Sequence, residues 1–378
     1  MQKTYFLIAP DHFKKNNTKF RRHRIAEALI QEGGSKVYWL YPLKSKKMNT
    51  HFIKETLENG VTCLGIPDYY SFGRYSNISD RYFRKLKELV VGKSAIIYTI
   101  PIFKNIPKLV GINRVYYDCS DNWTESWLTG KESLKSKLIE KLKLQLVGKE
   151  EKSIIKGANK IFVSSIFLQQ KVQYQNSGNK IQLVENGVDF SLFNTTNMPN
   201  ESNSNTELSI GYIGGLKNKV DLKLIELVAD EFPNYLIYLI GPIDKNTDIS
   251  LLKNKTNVRI KAPIPLESVP QRMSQLCLGI MPYRNISYNK GIVPLKLFEY
   301  LAVGVPVISI GLPSIKKFEE PGVLKVSDDY EQFINFSKIL IEQRNDDTLV
   351  NRRIKIAEQN SWEKKMQLII TAINEEPI

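Results

Sequence analysis

Short apolar runs alternate with longer amphipathic stretches along most of the chain. In residues 1–193 the runs TYFLIAP, KVYWLYP, VTCLGIP, SAIIYTIP, RVYYDCS, NKIFVSS and IQLVEN have strand character. Helical stretches separate them: RRHRIAEALIQEG, with apolar positions at Ile25, Leu29 and Ile30, then 79–90, 133–156 and 166–175. The strand runs are apolar throughout rather than on every second residue. That pattern predicts strands covered on both faces, hence a parallel, doubly wound sheet with helices on either side.

The pattern breaks at residues 194–207, NTTNMPNESNSNTE, which has almost nothing to bury and predicts a linker. Beyond it the alternation restarts, with strands LSIGYIG, LIYLIGP, VRIKAP, LGIMPY and VPVISI and helices VDLKLIELVADEF, LESVPQRMSQL, PLKLFEYLAVG and two more near 328–343 and 346–358. At 378 residues the chain is long for one core. The expected organisation is a first domain over 1–193, a linker over 194–207, a second domain over 208–360 and a last helix over 361–378.

Charge sharpens this division. Residues 1–195 carry 32 Lys and Arg against 17 Asp and Glu, whereas the rest carry 22 against 22. The whole excess of +15 lies in the first half, which predicts a polyanionic partner there: anionic lipid, nucleic acid or a diphosphate. A general bias toward lysine is the bland alternative, and it leaves the balanced second half unaccounted for. No apolar run is long enough to span a membrane. The opening MQKTYFLIAPDHFKK predicts a first strand and not a signal peptide. Cys63, Cys119 and Cys277 are scattered without metal spacing, so a reducing, cytoplasmic setting with no disulfide and no zinc is expected.

The most informative stretch is GIVPLKLFEYLAVGVPVIS, residues 291–309. Pro294 suits a helix start. Lys296 then falls in the first turn, where the helix itself favours an anion and not a cation. Glu299, one turn on, lies on the same face, placed to accept hydrogen bonds from vicinal hydroxyls. Lysine to phosphate and carboxylate to ribose would clamp a nucleotide; an ordinary i,i+3 ion pair is the alternative. In GYIGGLKNKVDLKLI, Gly214 and Gly215 follow a strand and precede a helix, an arrangement that lets backbone approach a phosphate or simply makes a tight turn.

PLKLFEYLAVGVPVIS resembles the donor-site signature of GT-B glycosyltransferases. VENGVDFSLF (184–193), GYIGGLKNKVDLKLI and SWEKKMQLII (361–370) are similar to three further elements of the same family. The resemblance is strongest over 184–370 and is nearest to bacterial polysaccharide transferases of the teichuronic-acid type and to xanthan glucuronosyltransferase. It implies an α/β GT-B fold, two doubly wound Rossmann-like domains facing across a cleft. It also implies donor contacts from Gly214, Gly215, Ile264, Tyr283, Pro294, Leu295, Lys296 and Glu299. The nucleotide sugar is a substrate, so no cofactor is expected, and Lys296 with helix-terminal amides replaces a metal at the leaving diphosphate. Retaining relatives similar to glycogen synthase carry two glutamates eight positions apart; Glu299 fits the second, but Gly291 stands at the first. The implied outcome is inversion.

Inversion needs a base. RVYYDCSDNWTESW ends a strand with Asp118 and Asp121, followed by Trp123 and Trp127. Asp121, just past the strand, is the expected base, Asp118 a structural partner, and the tryptophans sugar-stacking faces; both carboxylates could instead cap turns. Asp118, Trp123, Lys19, Arg22 and Asn186 are expected on the acceptor side. The cluster Lys19, Arg21, Arg22 and Arg24 is expected to meet phosphates of a lipid-linked acceptor or an anionic membrane, or else to form a solvated face. The expected function is transfer from a UDP-sugar to a lipid-linked glycan of a surface polysaccharide, at the inner face of the cell membrane. A sugar-nucleotide epimerase or a basic nucleic-acid-binding protein are the rivals, although no RNA-binding motif is present and no nucleic-acid partner is expected.

Overall fold

The computed structural model describes residues 3–15, 19–45, 53–69, 73–75, 80–126, 133–175, 180–194 and 208–375. The expected linker therefore lies outside the described residues apart from Asn194, as does Trp127. The chain forms two compact units. One comprises Met1–Ser126, Glu132–Glu185 and Met366–Ile378, and the other contains Asn186–Lys365.

In the first unit the elements run β1 (Lys3–Ile8), α1 (Arg21–Gln31), β2 (Ser35–Ser45), β3 (Ile53–Thr56), β4 (Thr62–Tyr69), α2 (Asp80–Leu86), β5 (Lys93–Tyr98), α3 (Ile106–Val110), β6 (Val115–Cys119), α4 (Leu134–Gly157), β7 (Lys160–Val163), α5 (Ile166–Gln175) and β8 (Ile181–Leu183). Sheet order is β3-β4-β2-β1-β5-β6-β7-β8, and every pairing is parallel except the edge pair β3–β4. The central strands are buried on both faces: Phe6, Leu7 and Ile8 of β1 and Tyr116 and Tyr117 of β6 are wholly enclosed. Strand β3 has no counterpart in the apolar pattern because all four of its residues, IKET, are exposed.

The second unit runs α6 (Phe190–Phe193), β9 (Ser209–Ile213), α7 (Leu222–Glu231), β10 (Leu236–Ile240), α8 (Ser250–Lys253), β11 (Val258–Lys261), α9 (Val269–Ser274), β12 (Leu278–Pro282), α10 (Ser287–Lys290), α11 (Leu295–Ala302), β13 (Val307–Ile310), β14 (Leu324–Ser327), α12 (Tyr330–Glu342) and α13 (Asp347–Gln359), and α14 (Trp362–Glu375) begins within it. Its sheet, β11-β10-β9-β12-β13-β14, is parallel throughout. The strand order reverses between β9 and β12, where open α/β sheets leave a crevice outside their carboxyl ends. The short β14 has no counterpart among the expected strands.

Residues 186–193, expected in the first domain, group instead with the second unit. The reason is local. Asn186 Nδ2 donates to the Val293 carbonyl at 2.7 Å. Gly187 lies so close to residues 360–362 that a Cβ there would meet the Asn360 oxygen at 2.7 Å. Val188 then exchanges backbone hydrogen bonds with Asn360 (3.1 Å) and Trp362 (2.9 Å). From Met366 onward α14 groups with the first unit. There the Ile373 carbonyl accepts from Arg114 Nη2 at 2.6 Å and from Tyr116 Oη at 3.2 Å.

Candidate active site

At the reversal point of the second sheet, β9 ends in Gly214, whose N–H donates to the Ile240 carbonyl at 2.7 Å. A Cβ on Gly214 would come within 2.0 Å of Lys296 Cε and 2.3 Å of its Nζ. The lysine end lies across the strand end where a side chain would go, and the φ of 154° at Gly214 is one that residues other than glycine rarely adopt. Gly215 has no such neighbour; its carbonyl accepts from Tyr212 Oη at 3.2 Å.

Helix α11 delivers that lysine. It begins at Leu295 with Pro294 as its extended N-cap, one position later than a proline inside the first turn. The cap has no side-chain partner and the first turn has no acid. The helix is fixed to the strand by Tyr300. This wholly buried phenol donates to the Gly211 carbonyl at 3.1 Å and accepts from the Ile213 N–H at 3.0 Å. Its ring covers Gly279 of β12, where a Cβ would meet ring carbons at 2.7–2.8 Å.

Lys296 Nζ lies 5.4 Å from the centre of the Tyr212 ring, and Lys219 Nζ lies 5.5 Å from that of Tyr283. Burial alone would raise the Tyr283 hydroxyl's pKa, but Lys296, Lys219 and a hydrogen bond with Tyr212 more than offset it, so the net shift is downward. Two ammonium groups therefore impose a positive potential on one buried phenol. Gly311 keeps that residue in place, since a Cβ there would strike the Tyr283 carbonyl at 2.3 Å. The loop carrying Lys219 is pinned on both sides. Its carbonyl accepts from Arg284 N (3.0 Å) and Asn289 Nδ2 (3.2 Å). Asp221 next to it caps α7 and accepts from Tyr330 Oη at 2.6 Å.

Among the described residues Lys296 and Glu299 form no ion pair with each other, so the i,i+3 alternative does not hold. Desolvation raises the Glu299 carboxyl's pKa although the residue is partly open, with Lys296 pulling the other way. Leu295 is half-exposed beside them. Ile264 follows the edge strand β11, two strands from β9, and packs on the core of the unit. Asn186, expected on the acceptor side, instead holds the Val293 carbonyl just ahead of α11.

In the first unit the charges around the start of α1 are paired. Asp118 on β6 accepts from Arg21 Nε at 2.8 and 3.0 Å and lies 2.7 Å from Nη2 as an ion pair, and both side chains are buried. Arg21 Nη1 donates on to the carbonyls of Val184 (2.6 Å) and Glu185 (3.0 Å). Arg22 faces Asp11 at 3.5 Å and stacks on Phe20; Lys19 and Arg24 both meet Glu27, at 2.8 and 3.8 Å. The cationic cluster is thus engaged with carboxylates: Arg21 in a buried pair, Arg22 with Asp11, and Arg24 and the half-exposed Lys19 sharing Glu27. Asp121 stands half-exposed past the end of β6, its carboxylate 3.5 Å from Ser120 Oγ. Burial lowers the Arg22 pKa, and the charges of Asp11 and then Asp121 partly offset it. Trp123 packs against the core with its indole N–H unpartnered in the described structure. No three His, Cys, Asp or Glu side chains gather as a metal site among the described residues.

No protein-family model matches the chain. It is 31% identical over 380 residues to the "Putative teichuronic acid biosynthesis glycosyltransferase TuaH" of Bacillus subtilis (strain 168), covering 95% of this chain and 94% of that relative. The chain belongs to this glycosyltransferase family. Solved structures extend the fold match. Sucrose-phosphate synthase from Thermosynechococcus elongatus superposes with a TM-score of 0.71 at 14% identity, over 99% of each chain. Anabaena HepE in complex with UDP gives 0.67 at 12% over all of both chains. WaaG, a glycosyltransferase involved in lipopolysaccharide biosynthesis, gives 0.67 at 12%, over 98% of this chain and 100% of its own. The fold of this glycosyltransferase is therefore GT-B.

Two residues of its site escaped the sequence reading. Lys219 could not be told from Lys217, because only the loop's path decides which lysine turns to Tyr283. Tyr300 left a clue in Gly211 and Gly279, since glycine inside a strand marks a close approach to backbone.

Proposed function

We propose that this glycosyltransferase moves a sugar from a UDP-sugar to a hydroxyl of a lipid-linked glycan in cell-surface polysaccharide synthesis, with inversion. The observation that carries the donor half is the convergence of Lys296 and Lys219 on the end of the second sheet, beside Glu299, which among the described residues forms no salt bridge. Such a site favours a diphosphate held by the two ammonium groups and the first turn of α11, with Glu299 accepting from ribose hydroxyls. The names of HepE complexes with UDP and with UDP-glucose support a uridine nucleotide, and the name of the Bacillus relative supports a cell-wall polysaccharide.

In the proposed reaction Asp121 takes the proton of the acceptor hydroxyl as its oxygen attacks the anomeric carbon. The bond from that carbon to the diphosphate oxygen breaks on the opposite face, and UDP leaves with the electron pair. Lys296 and Lys219 stabilise the charge that develops on it. The bonds from Arg21 to Asp118 favour Asp121 over Asp118 as the base. The expected result for Asp121→Asn is a fall in kcat of about 10²–10⁴ with UDP affinity intact. A variant with wild-type turnover would remove Asp121 from the reaction.

A further inference from the structure

The basic excess of the first half is not spent on α1, whose cations are paired internally. It surfaces on α4. Residues 134–143, LKSKLIEKLK, hold four lysines and one glutamate. In the same segment Leu134, Leu138, Ile139 and Leu142 are exposed at 85, 60, 41 and 51%. Leu134, Leu138 and Leu142 recur every fourth residue and so form one row along the helix, with Ile139 at its side. Scattered exposed aliphatics need no explanation, but a row of them on one helical turn after another does.

The other half of the same helix shows why it stays in place. Ile154 and Ile155 are buried, Glu150 pairs with Lys104 at 2.8 Å, and Glu151 meets Lys171 at 3.0 Å and Tyr117 Oη at 2.8 Å. At the start, Ser133 Oγ accepts from the Ser136 N–H at 3.2 Å and caps the helix. The helix is thus formed and anchored before it meets any partner, and its leading half presents leucine and lysine together. Protein interfaces exclude lysine from their apolar centre. A lipid surface accepts both, because aliphatic side chains enter the acyl boundary while lysine stems extend to headgroup phosphates.

We propose that residues 134–143 of α4 dock the protein on an anionic lipid bilayer. The inference rests on this helix alone and not on the donor site, although it would bring the enzyme to a lipid-linked acceptor. The test is co-sedimentation of the full chain with phosphatidylcholine vesicles, with and without phosphatidylglycerol, at low and high salt. The wild type should bind the anionic vesicles, and salt should weaken that binding. The pair Leu138→Glu and Leu142→Glu should reduce partitioning about tenfold or more. The triple change Lys135→Ser, Lys141→Ser and Lys143→Ser should lose the preference for phosphatidylglycerol. Melting temperature and its rise with UDP should be unchanged in both variants, which separates failure here from failure of the donor reading. Equal binding to neutral vesicles, or no effect of the leucine pair, would overturn the proposal. So would a wild-type dimer that the leucine pair converts to monomer without any vesicle binding.

Discussion

The two units share a plan and differ in how they treat charge at the carboxyl ends of their strands. In the first, Arg21 with Asp118 is a closed, buried ion pair, and Arg22 with Asp11 and the half-exposed Lys19 with Glu27 are paired nearer the surface. In the second, Lys296 and Glu299 sit one turn apart without pairing, and Lys296 and Lys219 both bear on a buried tyrosine. Closed pairs hold a fold together. Open charges, desolvated and fixed in position, cost stability and are retained where a ligand completes them. The difference separates residues that look equally promising in the sequence. Asp118 and Glu299 are both acids beside a basic residue, yet one is consumed by its neighbour and the other is not.

The contrast can be broken from either side. Arg21→Ala leaves Asp118 charged and unpaired in the interior, and the unfolding free energy should fall by about 3–5 kcal/mol in a urea titration. A loss as small as that of an exposed pair would show that the first unit does not depend on closure. Tyr300→Phe strips the Gly211 carbonyl and Ile213 N–H of a buried partner and should cost about 1–3 kcal/mol. Because Tyr300 also sets α11 against β9, its loss should raise KM for the donor; a stability loss with unchanged KM would confine it to packing. Glu299→Gln is the smallest effect and has the opposite sign. A carboxyl whose pKa is raised on folding binds protons more tightly in the native state, so stability falls as pH rises from the unfolded to the folded pKa. At neutral pH the glutamine variant should melt slightly higher than the wild type, and the advantage should vanish below the unfolded carboxylate range. The same variant should bind the donor less well. A lower melting temperature at neutral pH would mean Glu299 has a favourable partner in the free protein.

Much of the architecture was legible because parallel strands covered on both faces must be written as unbroken apolar runs, as in YFLI of β1 and the run that becomes β12. Strand β3 was not, since an exposed antiparallel edge needs no apolar residue. The placement of Lys296 and Glu299 one turn apart on a helix was legible as well, because a lysine in the first turn opposes the helix's own field and invites an explanation; their grip on a nucleotide is the proposal. The arginine cluster misled for a physical reason. Composition records a charge but not its partner, and Asp118 comes to Arg21 from 97 positions away. The segment around Asn186 misled in a related way: its fit to residues 360–362 depends on backbone approach at Gly187, which no local pattern displays.

The central claim is that Lys296 holds the diphosphate of a uridine nucleotide, and calorimetric titration of UDP and of uridine into the wild type and Lys296→Ala tests it most directly. The wild type should bind UDP far more tightly than uridine, and the variant should lose most of this preference while its affinity for uridine stays the same. A preference for UDP that survives the substitution unchanged would contradict the claim.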